Sequence, residues 1–543
     1  MAKRPLAGAL GPSPSVPSDL APMDPSIFND VIGPVMRGPS SSHCAAALRI
    51  GRLARDLMEG RIKEVTIQFD QHGSLATTHE SQGSDMGLFA GLLGWEAADE
   101  RLPDSARTIR ASGVKVDILI GDFGFIHPNT YRITLTHGWQ RHVVTGVSTG
   151  GGMIEIVEID GVPLSMFGDY WETLIRIAGR SADGLSQLTR EIEVDDVLLH
   201  ECEDGVLLQI KAQRFVDEHE IAHLRAGCDV RYVRRLRPVL PVLSRKGTSV
   251  PFCTCEQMLH DDNGRNLPPW ELAVQYERQR GNLSRDEVID RMIRIVQIVR
   301  ASIKQGIHGT TYDDRILGHQ CDQFQARMQA GGLLDAGLLN HAVLNITALM
   351  EVKSAMGVIV AAPTAGSCAA LPGTCLAAAD TLGLTDEDAA KAMLAAGLIG
   401  VLVAFKTTFA AEVCGCQAEC GVASGMTAAA LISLARAGIR QAVGAASMAF
   451  QNSLGMVCDP VANRVEVPCL GKNVMAASNA LACANMALAG YDPVIPLDEV
   501  IETMDQVGRS LPRELRCTAL GGLSVTRTSR AIESRLGGQR LTS

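Results

Sequence analysis

The segment Glu412-Val413-Cys414-Gly415-Cys416-Gln417-Ala418-Glu419-Cys420-Gly421 runs without a proline into residues 421–437, which are dominated by Ala, Gly and Ser with Leu, Ile, Val and Met between them. Residues this small let helix backbones approach closely, so the stretch reads as a central buried helix. Residues 361–379, 389–405 and 473–489 share the composition. From about 265 onward the pattern is almost wholly helical. Ser284 with Glu287 makes a capping box ahead of Val288, Ile289, Met292, Val296 and Val299 at helical spacing, and Thr385 with Asp388 makes a second. The longest apolar run, 392–405, stops at Lys406, short of a membrane span, and is expected to be a core helix.

Toward the N-terminus the periodicity changes. Residues 27–155 read as α/β, with a helix over 45–57, a half-buried strand in which Val65, Ile67 and Phe69 alternate, and further strands over 116–120, 131–136 and 154–157. Residues 156–243 read as a small separate unit: strand 173–177, helix 184–191, strand 206–210, helix 217–225 and strand 229–233. That order resembles an ACT-type ligand-binding module; a plain structural insert is the other reading. Residues 1–26, with six prolines, are expected to be a disordered tail. The fold class expected is α+β: an N-terminal α/β domain, a small ACT-like insert and a helical domain over 250–530.

The bulk numbers agree. A chain of 543 residues is too long for one core. With 46% apolar and 20% charged residues it is globular, and with only 4% aromatics its core must be aliphatic. A net charge of −10 argues against a nucleic-acid partner. No secretory signal is read, because the early apolar stretch at 6–10 is too short and is flanked by prolines. A cytoplasmic protein with no membrane partner is expected. In that reducing compartment the fifteen cysteines are thiols, metal ligands or redox groups.

Three short segments concentrate the chemistry: the one quoted above, then Leu454-Gly455-Met456-Val457-Cys458-Asp459-Pro460-Val461, then Val467-Pro468-Cys469. Any one cysteine here can be a buried small hydrophobe. No C-x₂-C pair matches another, so a structural zinc site does not fit. Spacing alone leaves packing and metal binding both open.

Taken in order, these segments resemble the iron–sulfur-dependent L-serine dehydratases (L-serine ammonia-lyases), which show Ala-Glu-Val-Gly-Cys-Gln-Gly-Glu, Leu-Gly-Leu-Thr-Cys-Asp-Pro-Val-Ala and Val-Pro-Cys. The likeness extends to Gly38-Pro39-Ser40-Ser41-Ser42-His43, Ser148-Thr149-Gly150-Gly151-Gly152, Ala362-Pro363-Thr364-Ala365-Gly366 and Gly521-Gly522-Leu523. It implies a β-type domain over 27–155 and an α-type catalytic domain over 250–530. It also implies a [4Fe-4S] cluster on Cys416, Cys458 and Cys469, with no pyridoxal phosphate. The open iron would take the hydroxyl of a small hydroxy acid, L-serine first, giving pyruvate and ammonia. A homodimer or higher homo-oligomer is expected. The hydroxyls and backbone N–H groups of Ser40, Ser41 and Ser42, just before a helix, suit the substrate carboxylate. Thr364 and Gly366 would form a second polar wall. Lys353 either pairs with a carboxylate or is solvated. Cys414 and Cys420 are expected to be packing residues.

The departures matter as much. The family carries a base histidine where this chain has Gln82, and an amide cannot take a proton near neutral pH. His79, three residues earlier, is the first substitute and His43 the second. Ala365 replaces a family asparagine, and the cysteine that ends many relatives has no counterpart at Arg540-Leu541-Thr542-Ser543. The resemblance therefore admits alternatives. These are a dehydratase of another hydroxy acid such as 2-(hydroxymethyl)glutarate, a lyase that expels sulfide from cysteine, and a non-catalytic cluster sensor.

Overall fold

The computed structural model describes residues 24–179 and 193–540. The expected tail is therefore described only from Asp24, and the expected helix over 184–191 lies outside the described residues.

The chain first crosses into the helical half. Strand β1 (Val35–Met36) pairs far down the chain. A π-helical turn, Ser41–Ala45, then leads into α1 (Ala46–Leu57). A six-stranded sheet follows, built from β2 (Glu64–Asp70), β3 (Lys115–Gly121), β4 (Thr130–His137), β5 (Gln140–Gly150), β6 (Met153–Ile159) and β7 (Val162–Met166), in the order β3-β2-β4-β5-β6-β7. Only β2 and β3 run parallel. Ile50, Leu53 and Leu57 of α1 and Leu88 of α2 (Ser84–Leu93) pack on Ile67, Phe69, Ile133 and Ile156. The alternation visible in the sequence is the face of β2 turned to these helices. β5 was not anticipated; glycine and threonine interrupt its apolar alternation. β7 adds to the same sheet, so that sheet continues past residue 155 to Met166.

The insert has its own four-stranded antiparallel sheet of β8 (Trp171–Ala178), β9 (Asp196–Cys202), β10 (Gly205–Ala212) and β11 (Asp229–Leu236), in the order β11-β8-β10-β9. Ile221 and Leu224 of α3 (Glu218–Gly227) share a core with Ile175, Ile177, Val206 and Ile210.

The rest is helical: α4 (Arg285–His308), α5 (Leu338–Ser354), β12 (Ile359–Val360), α6 (Ala370–Thr381), α7 (Asp386–Lys406), α8 (Cys420–Leu434), α9 (Ile439–Gln451) and α10 (Cys469–Leu488) are the main elements. Both expected capping boxes are present, at Ser284/Glu287 and Thr385/Asp388. α7 is long and apolar enough to cross a membrane by composition, yet it is buried in this core. The small residues have the expected use: a Cβ on Gly400 would lie 2.1 Å from Val31 Cγ1, so the N-terminal segment packs straight onto the α7 backbone. One expected helix is corrected. Residues 361–364 are not helical, since Pro363 disfavours helix before it, Ala365–Ser367 form a single 3-10 turn, and α6 starts only at Ala370. β1 pairs with β12, which sets residues 40–43 beside that loop.

Candidate active site

The loop at 40–43 is buried, with His43 fully so. The Ser40 hydroxyl lies 3.1 Å from His43 Nδ1, and His43 Nε2 lies 2.8 Å from Thr78 Oγ1. Ser41 Oγ accepts the Ala365 N–H at 3.1 Å, and Ser42 Oγ donates to Glu412 Oε1 at 2.9 Å. Glu412 Oε1 also stands 3.3 Å from His43 Nδ1, while its Oε2 is buried and has no hydrogen-bond partner among the described residues. Burial holds the His43 pKa below its ordinary value, against the pull of Glu412.

The second wall is the loop at 364–366. Thr364 Oγ1 donates to Glu419 Oε1 at 2.6 Å. A Cβ on Gly366 would fall 2.7 Å from that same oxygen, so any larger residue there must push the Glu419 carboxyl aside. Asn473 fastens the loop, donating to the carbonyls of Gly366 and Cys469 at 2.8 Å each. Burial, then the charge of Cys416, raises the Glu419 pKa to about 8.

Beside Glu419 the sulfurs gather. Cys416, Cys420, Cys458 and Cys517 share one buried cluster. Cys469 opens α10 next to them, within electrostatic reach of Cys416. A hydrogen bond from the Cys420 thiol brings Cys416 down to about 7 in spite of burial, with Lys472 helping. A two-way backbone strap fixes Cys517: Cys458 N–H donates to Leu515 O and Cys517 N–H donates to Cys458 O, each at 2.9 Å. Cys517, four residues before Gly521-Gly522-Leu523, carries no signal of its own in the sequence; the shared cluster and this strap place it. Cys420, expected to be packing, stands with the sulfurs. Cys414 does not: its thiol turns away to Asp505 Oδ1 at 3.6 Å.

This donor set fits a sulfur-ligated cluster. It is soft, buried and accompanied by a cation, Lys472, whose Nζ donates to Asp459 Oδ1 at 3.1 Å. Among the described residues no three of His, Cys, Asp or Glu are arranged to hold one metal ion. A cluster offers each thiolate its own iron and does not require that convergence.

A cleft of about 1010 Å³ opens beside the site, lined by Pro39, His79, Gly83, Lys353, Arg464 and Glu466 among others. His79 Nδ1 is held by both oxygens of Asp85, at 2.8 and 2.9 Å. Burial works to lower the His79 pKa, but the hydrogen bond and charge of Asp85 prevail and raise it. Gln82 is buried, its amide donating to Asn463 Oδ1 at 2.9 Å and to the Cys517 sulfur at 3.5 Å. Lys353 is neither solvated nor ion-paired among the described residues; its ammonium donates to the Val465 carbonyl.

The family profile described as "Serine dehydratase beta chain" matches residues 30–158, and "Serine dehydratase alpha chain" matches 264–524. The "Probable L-serine dehydratase, alpha chain" of Bacillus subtilis is 38% identical over 273 residues, 50% of this chain and 91% of that protein. The "Probable L-serine dehydratase, beta chain" of the same organism is 34% identical over 206 residues, 37% of this chain and 92% of that protein. The "L-serine dehydratase TdcG" of Escherichia coli is 27% identical over 521 residues, 90% of this chain and 96% of that protein.

Proposed function

Because the chain belongs to the serine dehydratase family, with β-type and α-type regions in one polypeptide, we propose that it is a [4Fe-4S]-dependent hydro-lyase converting L-serine to pyruvate and ammonia. The observation that carries this reading is the buried cluster of Cys416 and Cys458, with Cys469 in electrostatic reach of Cys416 and tied through Asn473 to Gly366, beside the joined loops at 40–43 and 364–366. All three relatives bear L-serine dehydratase in their names, which favours L-serine over other hydroxy acids.

Cys416, Cys458 and Cys469 would hold the cluster, with Cys420 and Cys517 as further thiols beside them. When bound, the cluster supplies a Lewis acid that helps the substrate hydroxyl leave. The serines at 40–42, at the start of α1, would take the carboxylate. The Ser41–Ala365 bond ties that anion loop to the second wall, so substrate is oriented by one rigid unit. We assign the α-proton to His79. Asp85 holds Nδ1 as the donor, which leaves Nε2 as the acceptor. Loss of water leaves an enamine, which tautomerises and hydrolyses to the products. We read the insert from β8 to β11 as an ACT-like regulatory module, supported by the β11-β8-β10-β9 order.

The test is anaerobic protein with L-serine. Pyruvate should form, the activity should decay in air, and it should return with ferrous iron and a thiol. Hydroxylamine at levels that trap pyridoxal phosphate should leave it unchanged. Iron-free protein that turns over serine would contradict the proposal.

A further inference from the structure

A second cavity, of about 590 Å³, lies apart from the site where several parts of the chain meet. Its walls come from the segment before and into β1, from α1, from the linker leaving the insert at 238–241, and from α4. The floor is apolar: Phe28, Ile32, Leu48, Leu240 and Ile295 are all buried. The charged lining is mostly positive, with four guanidinium groups against a single lining carboxylate, Glu96, and with Asp30 behind the wall facing Arg49. Glu96 is already engaged by Arg52 at 2.6 Å. Arg291 donates to the Pro241 carbonyl at 3.0 Å, so one lining arginine also holds the linker. Arg294, one turn on, has no ion pair among the described residues and stands exposed at the mouth. A cavity of this size with an apolar floor and unbalanced positive charge selects an apolar anion.

The same walls reach the active site by two routes. α1 supplies Leu48, Arg49 and Arg52 to the cavity, and its N-terminal end is the loop at 40–43. Arg49 is buried and donates to the Gly152 carbonyl at 2.6 Å. Gly152 closes a turn pressed on the site. Gly150, at φ +108°, is so close that a Cβ there would lie 2.6 Å from Ala410 N, and the Thr408 hydroxyl donates to Thr149 O at 2.7 Å. Glu412, which holds Ser42, is two residues beyond Ala410.

We propose that this cavity is a regulatory site for a monocarboxylate with a branched or aromatic apolar body and no ammonium group, coupled to the active site through α1 and the Arg49–Gly152 contact. The carboxylate pairs with Arg291 and Arg294, and the apolar body lies on Leu48, Leu240 and Ile295. An amino acid is disfavoured, because its ammonium would face the arginines. The coupling half rests on the active-site reading above; the binding half does not.

The test compares three probes of one shape by calorimetry on the full chain: 4-methylpentanoate, its neutral amide and L-leucine. The carboxylate should bind about tenfold or more tightly than the other two, and Arg291→Ala/Arg294→Ala should remove that preference. Saturating 4-methylpentanoate should then shift the KM for L-serine by roughly fivefold or more in wild type and not in the double variant. Equal binding of the three probes, or binding by the double variant equal to wild type, would overturn the site. Binding lost in the variant with no change in KM would overturn the coupling. A wild type that binds the carboxylate yet makes no pyruvate would count against the proposed activity and leave the binding site standing.

Discussion

His43 meets Glu412 at the floor of the site, and His79 meets Asp85 at the edge of the cleft. The partner chemistry is the same and the outcome is opposite. His43 is fully buried, and desolvation holds its pKa down. His79 keeps 18% of its side chain exposed, and Asp85 raises its pKa. The floor pair is a fixed hydrogen-bond hub, with both ring nitrogens committed to Ser40, Glu412 and Thr78. The edge pair has one nitrogen committed and can exchange a proton. On the proposed reading, burial sorts two similar pairs into a structural role and a chemical one.

The largest expected effect breaks the edge. His79→Ala should lower kcat by about 10²–10⁴ with iron content unchanged. If His43→Ala does this and His79→Ala does not, the roles are reversed. Gly366→Ala should come next, since its methyl group must displace the Glu419 carboxyl; a loss of about 10²-fold in kcat/KM fits a misplaced wall. Glu412→Ala strikes the floor and should lower stability to urea by roughly 1–3 kcal/mol. Asp85→Asn sharpens the comparison without removing the base. Asp85 favours the charged imidazole, so without it burial lowers the His79 pKa. The base is then free at lower pH, and the rising limb of kcat/KM against pH should move down. An unmoved limb would assign that titration elsewhere. The smallest effect is Cys414→Ser, which should keep iron and activity because its thiol faces Asp505.

Much of this was legible in the sequence for definite reasons. The two capping boxes and most of the small-residue helices are local patterns, and they form where expected, while the stretch from 361 becomes helical only at Ala370. The loops at 40–43 and 364–366 were readable as motifs, but their joining needed β1 to pair with β12, a contact 324 residues apart at Ser41–Ala365 that no local pattern carries. Glu412 and Glu419 lay inside the quoted segment, yet their roles depend on burial. Cys517 was invisible, because a backbone strap from Cys458 places it and it has no motif of its own. That Gln82 cannot act as a base follows from its amide alone; that this amide faces the Cys517 sulfur is a three-dimensional fact.

The central claim is that the buried thiols hold a cluster on which the edge histidine's chemistry depends. Iron and acid-labile sulfide, measured on anaerobically prepared wild type and Cys416→Ser protein, test it most directly. The account predicts about four of each per wild-type chain and loss of most of both in the variant, with the fold retained by circular dichroism. Wild-type protein that makes pyruvate from L-serine without iron, or Cys416→Ser protein with a full complement, would contradict it.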